Sequence, residues 1–475
     1  MYFSIYSIGC KLNQLELEAI TDSFCKHGFT LLKDRGTGEQ FSAGLTIINT
    51  CTVTSMAEQK SRRMLRKALR EERDSCVIVT GCYAQLEEET LNNLEKELLG
   101  NRVYFNRLFV IPGEKKDLLL DLPLFLKETF DKKNTPMETA LPMEASELSF
   151  YINRFLEKKI KNKISRDEDS FRYRPETFSK HSRSMIKIQD GCDKNCSYCR
   201  VRLARGRSRS QNRKRVKEEL LALEKAGFME AVLTGVNICQ YNDNGMGLSS
   251  LLNFLLEGSS KIRLRLSSLE PDALDRDFYD IIKNPRIRPH FHLAIQSGSA
   301  SILEKMNRTA PPSCVENVLD ELRRAKENPF IACDIITGFP TETEKDFMES
   351  FEFCEKSNFA WIHVFPFSPR PGTEALKLKP RVSEKIIKER ADSLNILAKK
   401  SRINYIKNCS GMNVEALIEA GGEKKGGFLP AVSENYLKLL VPASDRELKN
   451  GSLIRCRIGE PFLDDKNFDA YADIL

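Results

Sequence analysis

The residues of this chain best suited to chemistry are cysteines. Cys192, Cys196 and Cys199 fall within eight residues, in CDKNCSYC. A structural zinc ion takes four ligands, and the nearest histidine upstream, His181, lies eleven residues before Cys192. Cys196 and Cys199 have the spacing of a redox dithiol, but Cys192 would then have no task. Three thiolates on a tight loop after the apolar run MIKIQ can instead hold three irons of a 4Fe–4S cube. The fourth iron would stay open to a small molecule.

A second set emerges from placement rather than spacing. Cys10, Cys51 and Cys82 are 41 and 31 residues apart. Each follows a predicted strand: YFSIYSI (2–8), TIIN (46–49) and CVIVT (76–80). Three cysteines at the carboxyl edge of one open α/β sheet stand where such sheets bind ligands. A helix beginning after Cys51 would favour its thiolate through free amides and the helix dipole. The other eight cysteines read as ordinary thiols, with Cys239 set apart only because it lies just beyond a predicted strand. The five histidines form no metal-binding spacing.

The elements that must position these residues divide the 475-residue chain into four stretches. In residues 1–111 strands alternate with helical patterns, which predicts an α/β domain with an open parallel sheet. Residues 112–180 have weak periodicity and read as a connector. Residues 181–408 carry six strand–helix units (SMIKIQ, AVLTGV, IRLRLSS, HFHLAI, ACDIIT, AWIHVFPF), which suits a partial (β/α)6 barrel, closed by a helix over 382–407. In residues 409–475 NVEALIEA, AVSENYLKLLV and SLIRCRI alternate with period two between glycine-containing turns, which predicts a small β-barrel.

Composition narrows the partners. The net charge of +7 is modest, but residues 60–70 hold six Lys or Arg without an acid, and residues 201–217 hold eight. Two basic runs close to the predicted chemistry point to a polyanion. The chain has no run of 18 apolar residues, and MYFSIYSIGCKLNQ has neither a basic leader nor a cleavage site. A cytoplasmic location away from membranes is therefore expected. There, fourteen cysteines suggest metal ligation or free thiols rather than disulfides.

CDKNCSYC resembles the signature of radical S-adenosylmethionine (SAM) enzymes. The resemblance implies a 4Fe–4S cluster on Cys192, Cys196 and Cys199 whose open iron binds the amino and carboxylate groups of SAM, with Tyr198 close to the adenine. Such a cluster, once reduced, cleaves SAM to methionine and a 5′-deoxyadenosyl radical. SIGCKLNQ (7–14), INTCTVT (48–54) and VTGCYAQ (79–85) resemble the three cysteine boxes of the methylthiotransferase family. That likeness implies a second 4Fe–4S cluster on Cys10, Cys51 and Cys82. The final region is similar to a TRAM domain, an RNA-contacting barrel. KLNQ, TCTVTSMAEQKSRR and HVFPFSPRPGT look most like the MtaB-type branch. The MiaB-type branch, acting on isopentenyladenosine, usually has a QMN-like first box. The RimO-type branch, acting on an aspartate of ribosomal protein S12, usually has PKN there. The implied activity is methylthiolation at C2 of N6-threonylcarbamoyladenosine 37 in tRNA. One SAM would give a methyl group to sulfur at the auxiliary cluster, and a second would supply the radical. The implied partners are the tRNA anticodon stem-loop, an electron donor such as a flavodoxin–reductase system, and a sulfur source.

Several strand-end residues are expected to frame SAM: Gly235, Asn237, Ser267, Ser268, Glu270, Gln296, Ser297 and Gly338. Arg205, Arg207 and Arg209, after the cysteine loop, and Arg62, Arg63 and Arg66, after Cys51, are expected to meet the RNA backbone. Four places depart from the family pattern. VRLARG lacks a common proline, Ala294 stands where proline is common, Thr341 where glycine is frequent, and AVSENY where a T-x-N-Y run is usual. All six ligand cysteines remain. An iron–sulfur RNA-binding or sensor protein without catalysis, or a zinc protein, would share the cysteines but would form no 5′-deoxyadenosine from SAM.

Overall fold

The computed structural model describes residues 1–32, 43–72, 74–99, 105–132, 144–161, 170–175, 183–419, 427–443, 448–462 and 467–475. Its contacts divide the chain into two units. One comprises Met1–Thr177 with Asp190–Cys192 and Arg200–Arg207, and the other Phe178–Gln189, Asp193–Cys199 and Ser208–Leu475.

In the first unit, strands β1 (Tyr2–Ser7), β2 (Thr30–Leu31), β3 (Leu45–Thr50), β4 (Cys76–Gly81) and β5 (Leu108–Pro112) form a parallel sheet in the order β2-β1-β3-β4-β5. Every residue of β3 and β4 is buried, as expected of central strands covered on both faces. Helices α1 (Lys11–Lys26), α2 (Ser55–Glu71), α3 (Cys82–Leu86) and α4 (Glu88–Leu99) connect the strands. Thr54 caps α2 by accepting the Ala57 N–H at 3.1 Å. Leu65, Ala68 and Leu69 face inward from α2, while Lys60, Arg63, Arg66 and Arg70 form its exposed face.

The stretch read as a connector holds much of this unit's core. Helices α5 (Leu118–Asp131) and α6 (Ala145–Lys161) bury Leu119, Leu122, Leu126, Leu148, Ile152 and Phe155 with Phe3, Ile47 and Ile78 of the sheet. Tyr173 joins the same core. Residues 133–143, 162–169 and 176–180 of the predicted connector lie outside the described residues.

In the second unit, six strands keep their sequence order. β6 (Ser184–Lys187), β7 (Glu230–Thr234) and β8 (Arg263–Leu266) form one parallel ladder. β9 (His290–Gln296), β10 (Phe330–Thr337) and β11 (Trp361–Pro366) form another. Parallel bridges at Leu264–Ile287 and Leu269–Leu293 link the two. Order without reversal is the wall of a partial barrel rather than a doubly wound sheet. Helices α8 (Arg213–Lys225), α9 (Leu248–Gly258), α10 (Arg276–Ile281), α12 (Pro312–Ala325) and α13 (Glu344–Lys356) follow the strands. Two shorter helices were not read from the sequence: α7 (Val201–Arg205), in the first unit, and α11 (Ala300–Lys305). The long helix α14 (Glu384–Cys409) leads into the last region.

That region is a closed five-stranded barrel of β12 (Asn413–Ile418), β13 (Phe428–Ser433), β14 (Lys438–Pro442), β15 (Leu453–Pro461) and β16 (Ala470–Ile474), ordered β12-β13-β14-β16-β15. AVSENYLKLLV is two strands, not one. Ser433 Oγ accepts the Leu437 N–H at 2.8 Å across the turn, and Tyr436 takes φ +67°. Most of the glycine-rich turn at 421–427 lies outside the described residues. A buried ion network fastens this barrel to the six strands. Glu230 takes Arg265 at 2.6 Å and Arg288 at 2.8 Å, and Arg288 continues to Glu415 at 2.8 Å. Among the described residues no helix is long and apolar enough to cross a membrane.

Candidate active site

Cys10 caps α1 just beyond β1, Cys51 follows β3 directly, and Cys82 begins α3 at the end of β4. Two glycines let these strand ends close together. Gly9 has φ +125°, and a Cβ there would lie 2.7 Å from Cys51 Cβ. Gly81 has φ +101°, and its Cβ would lie 2.3 Å from the Thr50 carbonyl. Only glycine fits either place. Burial pushes the Cys51 thiol up to about 11; the Val53 N–H, 3.5 Å from its sulfur, lowers it, and the charges of Cys82 and Cys10 raise it. The three thiols thus lie within electrostatic reach of one another. Among the described residues no His, Cys, Asp or Glu trio converges on a single ion. A cube binds each thiolate to a different iron, so its ligands stand apart. The three thiols and the two glycine-only approaches fit a cluster of that kind.

Arg205 departs from its expected RNA role. Its guanidinium is buried against Glu16 and Asp190, both at 3.0 Å, and against Asn13 Oδ1 at 2.8 Å. Lys116 meets the same Glu16 at 2.5 Å. The cost of burying these charges is offset by their pairing. Arg200 is likewise internal, bonded to Glu58 at 3.2 Å and Glu87 at 3.0 Å. Arg207 is exposed and Arg209 partly so. Arg63 and Arg66 are exposed on α2, and Arg62 donates to the Tyr83 hydroxyl at 3.2 Å. The basic runs therefore mix internal ion pairs with outward charge, a difference that residue type alone does not carry.

In the second unit, the loop bearing Cys196 and Cys199 is tied down through Ser197. Its N–H donates to Met306 O at 3.0 Å, its hydroxyl to Lys305 O at 2.7 Å, and its carbonyl accepts the Ala375 N–H at 2.8 Å. The Cys199 N–H closes a turn onto Cys196 O at 3.1 Å. Tyr198 packs against Ile302, Met306, Phe339 and Ala375, and burial pushes its phenol well above the usual range. Cys192 belongs with the first unit, where its N–H donates to Gly206 O at 3.1 Å. Its tie to Cys196 and Cys199 is the short spacing between them.

Arg308 was missed by the sequence reading. It approaches Cys196 Sγ at 3.8 Å, holds Glu270 through a fork of 2.7 and 3.1 Å, and donates to the Ala294 carbonyl. In the sequence it stands at the end of residues 294–308, AIQSGSASILEKMNR, with nothing to mark it as facing a sulfur.

The strand-end residues separate into two groups. Ser267 Oγ and Thr337 Oγ1, at the ends of β8 and β10, are buried without a hydrogen-bond partner among the described residues, which leaves them open to a polar ligand. The Asn237 N–H donates to Gln189 Oε1 at 2.9 Å, and a Cβ on Gly235 would lie 2.9 Å from that oxygen. Gln296 takes φ +76° at the end of β9, a conformation found where a site constrains its residues. Ser268 Oγ contacts His292 Nδ1 at 2.6 Å, and His292 Nε2 contacts Asp334 Oδ1 at 2.9 Å. His292 and Asp334 carry no motif in the sequence beyond the period-two alternation of β9 and β10. These placements, the orphaned hydroxyls above all, fit a polar cofactor at the strand ends.

Three expected SAM contacts have other work. Glu270 is held by Arg308 and also meets Lys194 at 3.4 Å. Ser297 Oγ contacts Ser350 Oγ at 3.1 Å and accepts the Ser299 N–H at 3.1 Å. Gly338, at φ +72°, makes room for Ile387, whose Cγ1 would be 2.2 Å from a Cβ.

Residues 2–100 match the family model described as "Uncharacterized protein family UPF0004", and residues 186–354 match that of the radical SAM superfamily. The chain is 34% identical to the threonylcarbamoyladenosine tRNA methylthiotransferase MtaB of Treponema pallidum, covering 96% of this chain and 97% of the relative. It is 33% identical to the protein of that name from Thermotoga maritima, over 91% of this chain and 90% of the relative. A tRNA-2-methylthio-N(6)-dimethylallyladenosine synthase of Staphylococcus epidermidis is 28% identical, over 96% and 82%. Among solved structures, the radical SAM methyltransferase TsrM of Kitasatospora setae shares the fold, with a TM-score of 0.51 at 14% identity over 79% of this chain and 76% of that one. With such identity running nearly end to end, and the radical SAM model matched over residues 186–354, across the first five of the six strands, the chain belongs to the radical SAM methylthiotransferases, within the threonylcarbamoyladenosine tRNA methylthiotransferase branch.

Proposed function

We propose that the chain methylthiolates C2 of N6-threonylcarbamoyladenosine 37 in tRNA. The observation that carries this reading is the 34% identity across 97% of a relative of that activity. Cys192, Cys196 and Cys199 would hold the SAM-binding cluster, and Cys10, Cys51 and Cys82 the auxiliary cluster. When bound, the clusters and SAM supply a carbon radical and a methylated sulfur, chemistry that reaches an aromatic C–H inert to acid–base catalysis.

The chain's own residues hold and seclude these groups. Tyr198 walls the cysteine loop on its apolar side. Glu270 aims Arg308 toward Cys196. Ser267 and Thr337 offer hydroxyls at the strand ends. The exposed basic face of α2, with Arg62 braced 5.9 Å from the Tyr83 ring centroid, suits an RNA backbone. The closed C-terminal barrel, read as TRAM-like, would add a second RNA contact. An electron donor of the flavodoxin–reductase kind and a sulfur source complete the cytoplasmic system.

Mass analysis of tRNA nucleosides tests the substrate. A strain lacking the gene should lose 2-methylthio-N6-threonylcarbamoyladenosine and regain it when the chain is expressed. An unchanged level sinks the reading. Loss of methylthiolated isopentenyladenosine, or of the modified aspartate in protein S12, would reassign the enzyme to a sister branch.

A further inference from the structure

Arg205 sits among residues that reach both Cys10 and Cys51. Asn13 accepts its guanidinium at 2.8 Å and donates through Nδ2 to Ile8 O at 2.9 Å and to Thr50 O at 3.0 Å. Those carbonyls lie two residues before Cys10 and one before Cys51. The Asn13 backbone carbonyl in turn accepts from Asn49 Nδ2 at 3.0 Å. One buried amide thus spans two of the three ligand-bearing strand ends, and Arg205 fixes its orientation. Glu16 and Asp190 face Arg205 and Lys116 in one buried group of two anions and two cations. Removing Arg205 would leave this group net negative beside cysteines that become anionic thiolates when they ligate iron, in a medium that screens weakly.

We propose that Arg205 is a positioning residue of the auxiliary cluster: it locks Asn13, and with it the backbone carrying Cys10 and Cys51, and it sets a permanent positive charge beside the cluster. The proposal rests on the two-cluster reading above. Its neighbours also include Cys10 and Cys82 electrostatically. A cation beside the site stabilises the reduced, more negative state of a bound cluster and so raises its potential.

The test uses the full chain carrying Cys192→Ala, Cys196→Ala and Cys199→Ala, reconstituted anaerobically so that any cluster formed is the auxiliary one. Its midpoint potential is read by EPR-monitored redox titration. Arg205→Gln should lower the potential, Arg205→Lys should lie between that variant and the parent, and Asp190→Asn, which removes an anion and keeps Arg205, should raise it. If Arg205→Gln binds no iron, the lysine and Asp190 variants decide. Loaded variants at the parent potential overturn the role of Arg205 alone. A parent that binds no cluster in this background overturns the two-cluster reading together with it.

Discussion

Cys51 is nearly inaccessible, at 4% exposure, while Cys10 is exposed and Cys82 partly exposed. A cube loses stability when one of its three thiolates is withdrawn. Cys51→Ala should therefore cut the iron bound by the purified chain to about half, consistent with the loss of one of two cubes. Cleavage of SAM to 5′-deoxyadenosine should continue, while tRNA methylthiolation stops; iron assay and chromatography read the two effects separately. Arg308 gives a different outcome. Arg308→Met leaves Glu270 buried with Lys194 as its remaining ion-pair partner among the described residues, and losing one partner of a buried pair costs about 3 kcal/mol. A lower urea midpoint at unchanged slope would measure this. The cysteines were legible in the sequence because their chemistry travels with their residue type. Arg200, Arg205 and Arg308 were not, because a positive charge says nothing of whether an acid, a sulfur or a phosphate will face it. That is decided by chain segments far away in sequence, such as Glu16 against Arg205.

Between β4 and α3, Gly81 is tightly confined. Its φ of +101° and ψ of −167° occupy a region essentially closed to other residues, worth about 1–3 kcal/mol. The obstructing atom is the Thr50 carbonyl, which is backbone and has little room to shift. Gly81→Ala should lower the melting temperature and reduce iron loading at Cys82, as read by calorimetry and iron assay. On α2 the effect of substitution should be electrostatic instead. Arg63→Glu and Arg66→Glu change exposed side chains. They should leave stability almost unchanged, weaken tRNA binding, and lower the slope of log affinity against log salt by about one for each phosphate no longer neutralised. Binding measured at several salt concentrations checks this, and an unchanged slope would remove α2 from the interface. Apart from the two-residue β2, the strands of both α/β regions were legible because apolar runs of four to eight residues between polar helices have few other readings. α5 escaped because Pro123 interrupts LLLDLPLFL, and of α6 only the polar end FLEKKIK reads as helical. The β13–β14 turn escaped because Glu434, Asn435 and Tyr436 contain no glycine to mark it, although Tyr436 adopts the positive φ.

Across the whole second unit, the C-terminal barrel and the six-strand wall share one buried carboxylate. Glu230 opens β7, Arg265 lies in β8, Arg288 precedes β9, and Glu415 and Glu434 extend the network from the barrel. The sequence offered no hint of this junction, because its members are separated by up to about two hundred residues and each alone reads as a surface charge. Burial opposes the charge on Glu230, but Arg265 and Arg288 outweigh it and hold the carboxyl at about 2, against an ordinary 4.5. The folded value lies below the unfolded one, so the stabilisation is complete above pH 4.5 and is lost as pH falls towards 2. A shift of about 2.5 pH units corresponds to about 3 kcal/mol. The parent chain should therefore lose denaturant resistance steeply between pH 4.5 and 2, with the barrel and the six strands failing together. Glu230→Gln keeps the shape but leaves Arg265 and Arg288 without that charge. It should be less stable at pH 7 and show a flatter fall in acid. Equal acid slopes for parent and variant would mean that the junction is held by its apolar contacts, among them Phe330, Tyr405 and Val414, rather than by this carboxylate.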